Sequence, residues 1–104
     1  MSEPKVRVRA TARRDIAEIG RWYEEQGGEA LAERFILAVR RSLEALAQTP
    51  GLGGPADSWR SESAHARRWR VDDFPSYRIF YLPHRDGGIS ALRVLHTSRD
   101  WKRR

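Results

Sequence analysis

The sequence lacks cysteine entirely among its 104 residues. This absence excludes a disulfide framework, a thiolate metal site and a cysteine nucleophile. Long apolar runs are also missing, since no stretch approaches the roughly 20 apolar residues that a membrane-spanning helix needs. The segment Met1–Lys5 has no apolar core behind a basic start, so it does not resemble an export signal. We therefore expect a protein of the reducing cytoplasm that does not bind membranes.

Acidic residues are outnumbered, with 14 Asp and Glu against 20 Lys and Arg, and the formal net charge is +6. Arginine-rich proteins of this kind bind phosphates, carboxylates or acidic partners. The chain has the length of one ordinary domain and shows no internal repeat or linker-like tract, so we expect residues 1–104 to form a single domain. Isolated basic residues on helices most often form a solvated face, and a plain nucleic-acid-binding module would also explain the charge.

The N-terminal half predicts one strand and two helices. Lys5–Ala10 alternates between apolar and basic residues, which is typical of a half-buried strand. Thr11 stands where an N-cap would, and the helical spacing of apolar residues predicts a first helix from about Ala12 to Gln26. After Gly27-Gly28, a stronger apolar stripe predicts a second helix from about Glu29 to Gln48. The short connection predicts that the two helices fold back as an antiparallel hairpin.

The C-terminal half predicts three strands, because the apolar period changes to two. We expect these strands at Arg67–Asp72, Ser76–Pro83 and Ile89–His96, after a loop that lasts until about Ser63. Turn compositions of hairpin length join them, which favours an antiparallel meander. The predicted architecture is α+β: an N-terminal strand, an antiparallel helical hairpin, and a three-stranded meander in one sheet packed on the helices. The side chains expected to face the helices are Trp69, Val71, Tyr77, Ile79, Tyr81, Leu92 and Val94.

Four segments, taken in their order along the chain, match the pattern of one known family. Ala12–Ile19, with Tyr23 a turn later, resembles the opening helix of ParE-type toxins. The three terminal strands of that family are resembled by Arg67-Arg68-Trp69, Tyr77–Tyr81 and Arg93–Asp100. Through the order and spacing of these segments, nearly the whole chain resembles the ParE/RelE toxin superfamily of type II toxin-antitoxin systems, and its ParE-like branch in particular.

The resemblance implies a toxin that a cognate antitoxin neutralises through an extended, acidic C-terminal segment with a helix, in a hetero-oligomer. Toxins similar to ParE poison DNA gyrase, and this implies inhibition of replication, growth arrest and a role in plasmid stabilization. Toxins similar to RelE and YoeB instead cut mRNA at the ribosome without a metal. Neither mechanism implies a cofactor or a metal site in this chain.

The nuclease mechanism requires a general acid, a general base and cations around the scissile phosphate. The resemblance to RelE-like nucleases matches Arg78 and Arg99 to phosphate-binding arginines, and Arg70 or Arg68 to the basic residues of the preceding strand. Those nucleases place a Tyr, or a His-Tyr pair, after the last strand, but no tyrosine follows Tyr81 here. His96 can titrate near neutrality, yet it also matches a His-x-x-Arg-Asp pattern of ParE-like members.

We therefore interpret His96 as a strand-end residue with a structural hydrogen bond, and Arg99-Asp100 as a local ion pair or a turn brace. His65 and His84 lack metal-ligand spacing and are expected at the surface. The favoured function is a gyrase-binding toxin without catalytic residues; the alternative is an endoribonuclease that uses Arg70, Arg78, Arg99 and His96. Exposed tryptophans and dense cations are candidate contacts for antitoxin or target: Trp22, Trp59, Arg68, Arg78, Arg99, Trp101, Lys102 and Arg103.

Overall fold

The computed structural model describes residues 5–56 and 65–98 of the chain. In chain order the elements are β1 (Val6–Val8), α1 (Ala10–Gly27), α2 (Glu29–Gln48), a 3-10 turn (Pro50–Leu52), β2 (Gly54–Pro55), β3 (Arg67–Val71), β4 (Phe74–Pro83) and β5 (Ile89–His96). The predicted α+β architecture is confirmed, with two helices packed on one sheet. The two-residue strand β2 is an addition within the segment that the sequence predicts to be a loop.

The sheet has the strand order β1-β5-β4-β3-β2. Strands β3, β4 and β5 form the predicted antiparallel meander, while β1 pairs in parallel with the start of β5. Gly88 permits this pairing because a Cβ at that position would lie 2.3 Å from the carbonyl oxygen of Lys5. Its φ of 87° is also a conformation that favours glycine. Strand β5 therefore lies beside β1, and β1 is the outermost strand of the sheet on that side.

The first helix begins two residues earlier than predicted, and Thr11 is not its N-cap. Arg9 occupies the N-cap position and makes no side-chain capping hydrogen bond. The Thr11 hydroxyl instead donates to the carbonyl oxygen of Leu92 at 2.9 Å, which ties the helix to β5. The N-cap prediction was wrong because a tertiary hydrogen bond competes for the same hydroxyl. As a result Ala10 belongs to α1, and β1 ends at Val8.

The main core lies between the helices and the sheet and contains most of the predicted side chains. Phe35, Val39 and Leu46 of α2 are buried against Ile79 and Tyr81 of β4. Val71, Tyr77 and Val94 also join this core, and Trp69 packs against it while half-buried.

The prediction for Leu92 was wrong, because this side chain belongs to a second buried cluster with Phe80 and Leu95. The cause is a β-bulge: Phe80 pairs with Arg93 and Tyr81 pairs with Ala91, so Leu92 has no partner of its own. The extra residue reverses the alternation of β5. Ile89 and Ala91 face the helices before the bulge, and Val94 does so after it.

A buried tyrosine hydroxyl holds the chain that follows α2. Tyr81 Oη donates to the carbonyl oxygen of Pro50 at 2.6 Å and accepts from the N–H of Gly53 at 3.0 Å. We expect Tyr81→Phe to lower the free energy of unfolding by about 1–3 kcal/mol, because both backbone groups lose their partner. Chemical denaturation at pH 7 measures this change.

The same substitution tests a pH dependence. Burial raises the pKa of Tyr81 above its usual value of 10.0. Above that pH the unfolded chain releases the phenolic proton while the folded chain retains it, so stability falls as pH rises. Tyr81→Phe should therefore reduce the loss of stability above pH 10, and an identical alkaline profile in both proteins would contradict this account.

Candidate functional site

Three arginines lie on the face of the sheet opposite the helices: Arg68 and Arg70 on β3 and Arg78 on β4. Strand alternation places them there, because Trp69, Val71, Tyr77 and Ile79 contact the helix-side core. Arg70 and Arg78 are directly paired across the two strands. We call Arg68, Arg70 and Arg78 the arginine face. The structure thus brings together three of the predicted cationic site residues.

Arg70 and Arg78 occupy directly paired backbone positions, but their guanidinium groups make different contacts. A guanidinium nitrogen of Arg78 donates to the carbonyl oxygen of Pro75, and the Arg70 guanidinium carbon lies 4.8 Å from the centre of the Trp69 ring. A phosphate or carboxylate at this surface would offer both guanidinium groups a charged hydrogen-bond acceptor.

His96 lies on the other side of the sheet. It is paired with Tyr77, and the two rings contact each other edge to face with their centres 5.0 Å apart. Its Nδ1 accepts hydrogen bonds from the N–H of Ser98 at 3.0 Å and from the Ser98 hydroxyl at 2.7 Å. The structure therefore places the His96 imidazole on the face of the sheet opposite to the one toward which strand alternation directs Arg70 and Arg78.

Trp22 and His96 both line a recess of about 490 Å³ between α1 and the ends of β4 and β5. The Trp22 side chain is 51% exposed and contacts the ring of Tyr23. Its exposure agrees with the prediction of an available tryptophan on α1. Asp15 and Glu18 also line this recess, so it differs in charge from the arginine face.

The carboxylate of Asp15 is the acceptor of a group of hydrogen bonds that the sequence alone did not indicate. This carboxylate is buried and accepts from Nε of Arg93 at 2.7 Å, from a terminal nitrogen of Arg93 at 3.0 Å, and from the N–H of Val94 at 3.0 Å. The hydrogen bond with Asp15 raises the pKa of Arg93. Asp15 therefore holds α1 against the edge of β5 at the point where β1 no longer covers it. The two charged partners are 78 positions apart, so no local pattern could have paired them.

A second surface that sequence reasoning missed is an apolar groove of about 540 Å³ beside β1. We call it the β1 groove. Its charged lining consists of Arg13, Arg40 and Glu44, and its apolar lining comes from all three N-terminal elements: Val6, Val8, Ile16, Ala17, Ile36, Val39 and Leu43. The alternation of apolar and basic residues in β1 predicted that Val6 and Val8 lie on the buried side of the strand. Their position at a sheet edge depends on the parallel pairing with β5.

The remaining predicted contacts lie outside the described residues: Trp59, Arg99, Trp101, Lys102 and Arg103. Within the described part of the chain, no group of three His, Cys, Asp or Glu side chains could hold a metal ion. No helix among these residues is long and apolar enough to span a membrane.

Comparison with known proteins identifies the family. The sequence model of one protein family, the ParE toxin of the type II toxin-antitoxin system parDE, matches residues 6–101. A search of curated proteins finds no match.

Two solved structures have the same fold. The chromosomal ParDE toxin-antitoxin system from P. aeruginosa aligns with a TM-score of 0.70 at 16% identity, over 89% of this chain and 95% of that chain. The toxin-antitoxin complex RelBE2 from Mycobacterium tuberculosis aligns with a TM-score of 0.57 at 27% identity, over 91% of this chain and 99% of that chain. The chain belongs to the ParE toxin family of type II toxin-antitoxin systems.

Proposed function

We propose that this toxin arrests growth by binding DNA gyrase through its arginine face, and that it does not cut RNA. The observation that carries this mechanism is the separation of His96 from Arg70 and Arg78 by the sheet. Cations that bind a phosphate without an adjacent proton donor or acceptor form a binding surface rather than a nuclease site. The resemblance to ParE-type toxins supplies gyrase as the target, and replication is the process that the toxin inhibits.

The proposed neutralising partner is an antitoxin with an acidic segment, which forms a hetero-oligomer with the toxin in the cytoplasm. The net charge of +6 supports an acidic partner. Trp22 supports a protein partner, because exposed tryptophans next to a recess are frequent anchors of protein interfaces. Both structural relatives are toxin-antitoxin systems, ParDE and RelBE2, and this supports an antitoxin partner.

The deciding experiment expresses the chain from a tightly regulated promoter, with and without the reading frame adjacent to its gene. Arrested cells are examined for a DNA damage response and for cleavage of transcripts. We expect growth arrest with DNA damage and intact mRNA, and relief of the arrest when the adjacent frame is co-expressed. Purified gyrase should accumulate cleaved DNA in the presence of the chain. Arrest without any effect on gyrase would contradict the proposed target.

A substitution at His96 distinguishes the two mechanisms. We expect His96→Gln to leave growth arrest unchanged, because the imidazole contacts Tyr77 and Ser98 on the face away from the arginines. Positioned acids and bases contribute about 10²–10⁴-fold to catalysis. A loss of toxicity of this size in a variant that remains folded, as judged by circular dichroism, would favour the nuclease.

A RelE-type endoribonuclease is the second candidate. It is favoured by one observation, the direct pairing of Arg70 with Arg78, which places two of the candidate phosphate-binding arginines on neighbouring strands. This mechanism predicts that transcripts in arrested cells are cut at codons and that DNA remains undamaged. The expression experiment measures both results in the same cells.

A further inference from the structure

The hydroxyl of Ser42 connects α2 to the turn between β3 and β4. Ser42 is buried on the core-facing side of the helix, with 2% of its surface exposed. Its Oγ donates to the carbonyl oxygen of Ala38 at 2.8 Å and accepts from the N–H of Asp72 at 2.8 Å. The hydroxyl therefore acts as donor and as acceptor at the same time, which a serine side chain can do.

This helix position would favour alanine if helix stability and burial decided it alone. Alanine has the higher helix propensity, and a serine that bonds to the carbonyl four residues earlier slightly destabilises a helix. Serine is also found mostly at protein surfaces. An alanine at Ser42 would leave the N–H of Asp72 without this acceptor, which costs free energy. The buried serine therefore serves the turn rather than the helix.

The β3–β4 turn benefits from such an anchor because its own residues specify it weakly. Val71 pairs with Phe74, so the connection consists of Asp72 and Asp73. Asp73 has a φ of 64°, a conformation that glycine adopts freely but that costs other residues free energy. Two-residue hairpin turns favour Asn-Gly or Asp-Gly, and this turn contains no glycine. The hydrogen bond to Ser42 supplies a tertiary constraint that the turn sequence lacks.

The turn leads directly into an irregularity that sets the pairing of Arg70 with Arg78. The register of β3 and β4 shifts between Arg70 and Val71, and residues 75–77 of β4 lie between the two pairs. We call residues 75–77 the β4 bulge. A guanidinium nitrogen of Arg78 donates to the carbonyl oxygen of Pro75 in this bulge. Because bulges re-aim the side chains beside them, the geometry of the arginine pair depends on the turn and the bulge keeping their positions.

We propose that Ser42 is a positioning residue for the arginine face: its hydroxyl fixes the β3–β4 turn and thereby the geometry at which Arg70 and Arg78 meet the target. This inference rests on the proposed binding of gyrase through the arginine face, and it adds a residue that controls that surface from inside the core. Ser42 is too deeply buried to contact a partner itself. Its replacement by alanine changes no charge, so any effect on binding acts through the arrangement of the arginines.

The affinity of purified gyrase for the full-length chain tests the effect on function. Ser42→Ala should weaken this affinity by about tenfold, a coupling of the size found between residues that share a backbone shift. In an Arg70→Ala background the same change should weaken it by about threefold or less, because one of the positioned contacts is already absent. A general loss of stability would instead lower the affinity equally in both backgrounds, and that result would overturn the positioning role.

Ser90→Ala is the matched control. Ser90 is also buried, and its hydroxyl lies 2.8 Å from Nε2 of His84, near the other end of β4 and β5. The substitution removes a side-chain hydrogen bond of a buried serine but leaves the β3–β4 turn intact. The affinity for gyrase should stay within about twofold of that of the parent, as expected for a distant, independent site. Equal losses of affinity in Ser42→Ala and Ser90→Ala would contradict a specific role of Ser42.

Nuclear magnetic resonance of the free chain separates this inference from the proposed function. In Ser42→Ala, nuclear Overhauser contacts between the backbones of Arg70 and Arg78 should weaken, while those between the paired residues Arg68 and Phe80 are retained. Contacts unchanged from the parent would overturn the positioning role, whatever the target is. If the contacts weaken but Arg70→Ala leaves gyrase binding unchanged, the proposed binding surface fails and the control of the arginine geometry by Ser42 stands.

Ser42→Cys provides a second variant for the same measurements. A thiol is a weaker hydrogen-bond acceptor than a hydroxyl, so both the gyrase affinity and the Arg70–Arg78 contacts should fall between those of the parent and Ser42→Ala. This variant keeps the test decisive if Ser42→Ala does not fold. A folded Ser42→Cys chain with the affinity and the contacts of the parent would then overturn the inference.

Discussion

Arg70→Glu is expected to abolish growth arrest and to weaken binding to gyrase by about a hundredfold. Arg70 is exposed on the arginine face, directly opposite Arg78. The substitution places a carboxylate where the two cations would bind an anionic group of the target. Removing a charged contact and introducing repulsion at an interface costs about 2–5 kcal/mol. Growth after induction and the amount of cleaved DNA formed by purified gyrase measure the effect.

The fold should tolerate this substitution. The introduced carboxylate would face Arg78 across the strands, and an opposite-charge pair replaces a like-charge pair, so we expect the free energy of unfolding to change by less than about 1 kcal/mol. Arg34→Glu is the matched control, because Arg34 is exposed on α2, away from the sheet, and the net charge changes equally. If Arg34→Glu abolished toxicity as completely, the arginine face would not be the binding surface.

Asp15→Ala is expected to lower the free energy of unfolding by about 3 kcal/mol. The buried carboxylate accepts three hydrogen bonds from Arg93 and Val94, and its removal leaves a partly buried cation and a buried N–H without this acceptor. Breaking a fully buried ion pair costs about 3–5 kcal/mol. The lower end applies because the Arg93 side chain is 34% exposed to solvent. For a domain of this size the melting temperature should fall by more than about 10 °C.

Glu18→Ala is the control for this prediction. Glu18 lies one turn later on α1 and is exposed, so its removal should change stability by no more than about 0.5 kcal/mol. Equal melting temperatures for the parent and Asp15→Ala would show that the Asp15 carboxylate does not contribute to holding α1 against β5. A toxin that is destabilised but still folded should recover its activity at lower temperature, and this separates the role of Asp15 from target binding.

The sheet divides this toxin into two surfaces of different chemistry. The arginine face suits an anionic group, whereas the opposite side carries Trp22 and the β1 groove next to the helices. Under the proposed function, target and antitoxin use different sides. The antitoxin can then neutralise the toxin in three ways. It can sterically block the approach of gyrase, change the conformation of the arginine face, or cover that face with a second segment. Competition between gyrase and the antitoxin in a binding assay distinguishes shared from separate surfaces.

Local sequence patterns were sufficient for much of the architecture and for part of the candidate site. The apolar stripe with Phe35, Val39 and Leu46 predicted α2, and the period of two predicted β3 to β5 within a few residues. The same alternation placed Arg68, Arg70 and Arg78 away from the core. The family also followed from the sequence, because the order and spacing of its segments span nearly the whole chain.

Contacts between distant residues decided what local patterns could not. The bulge at Leu92 changes which side chains of β5 face the helices. The hydroxyl of Thr11 donates to β5 instead of capping α1, and the carboxylate of Asp15 accepts hydrogen bonds from Arg93. The parallel pairing of β1 with β5 placed β1 outermost among the described strands, beside an apolar groove. The sequence by itself determined which residues form helices and strands, because periodicity reports which side of each element is apolar. Only the tertiary structure decided which elements are neighbours and on which face His96 lies, because pairing and register depend on the competition among all strands for partners.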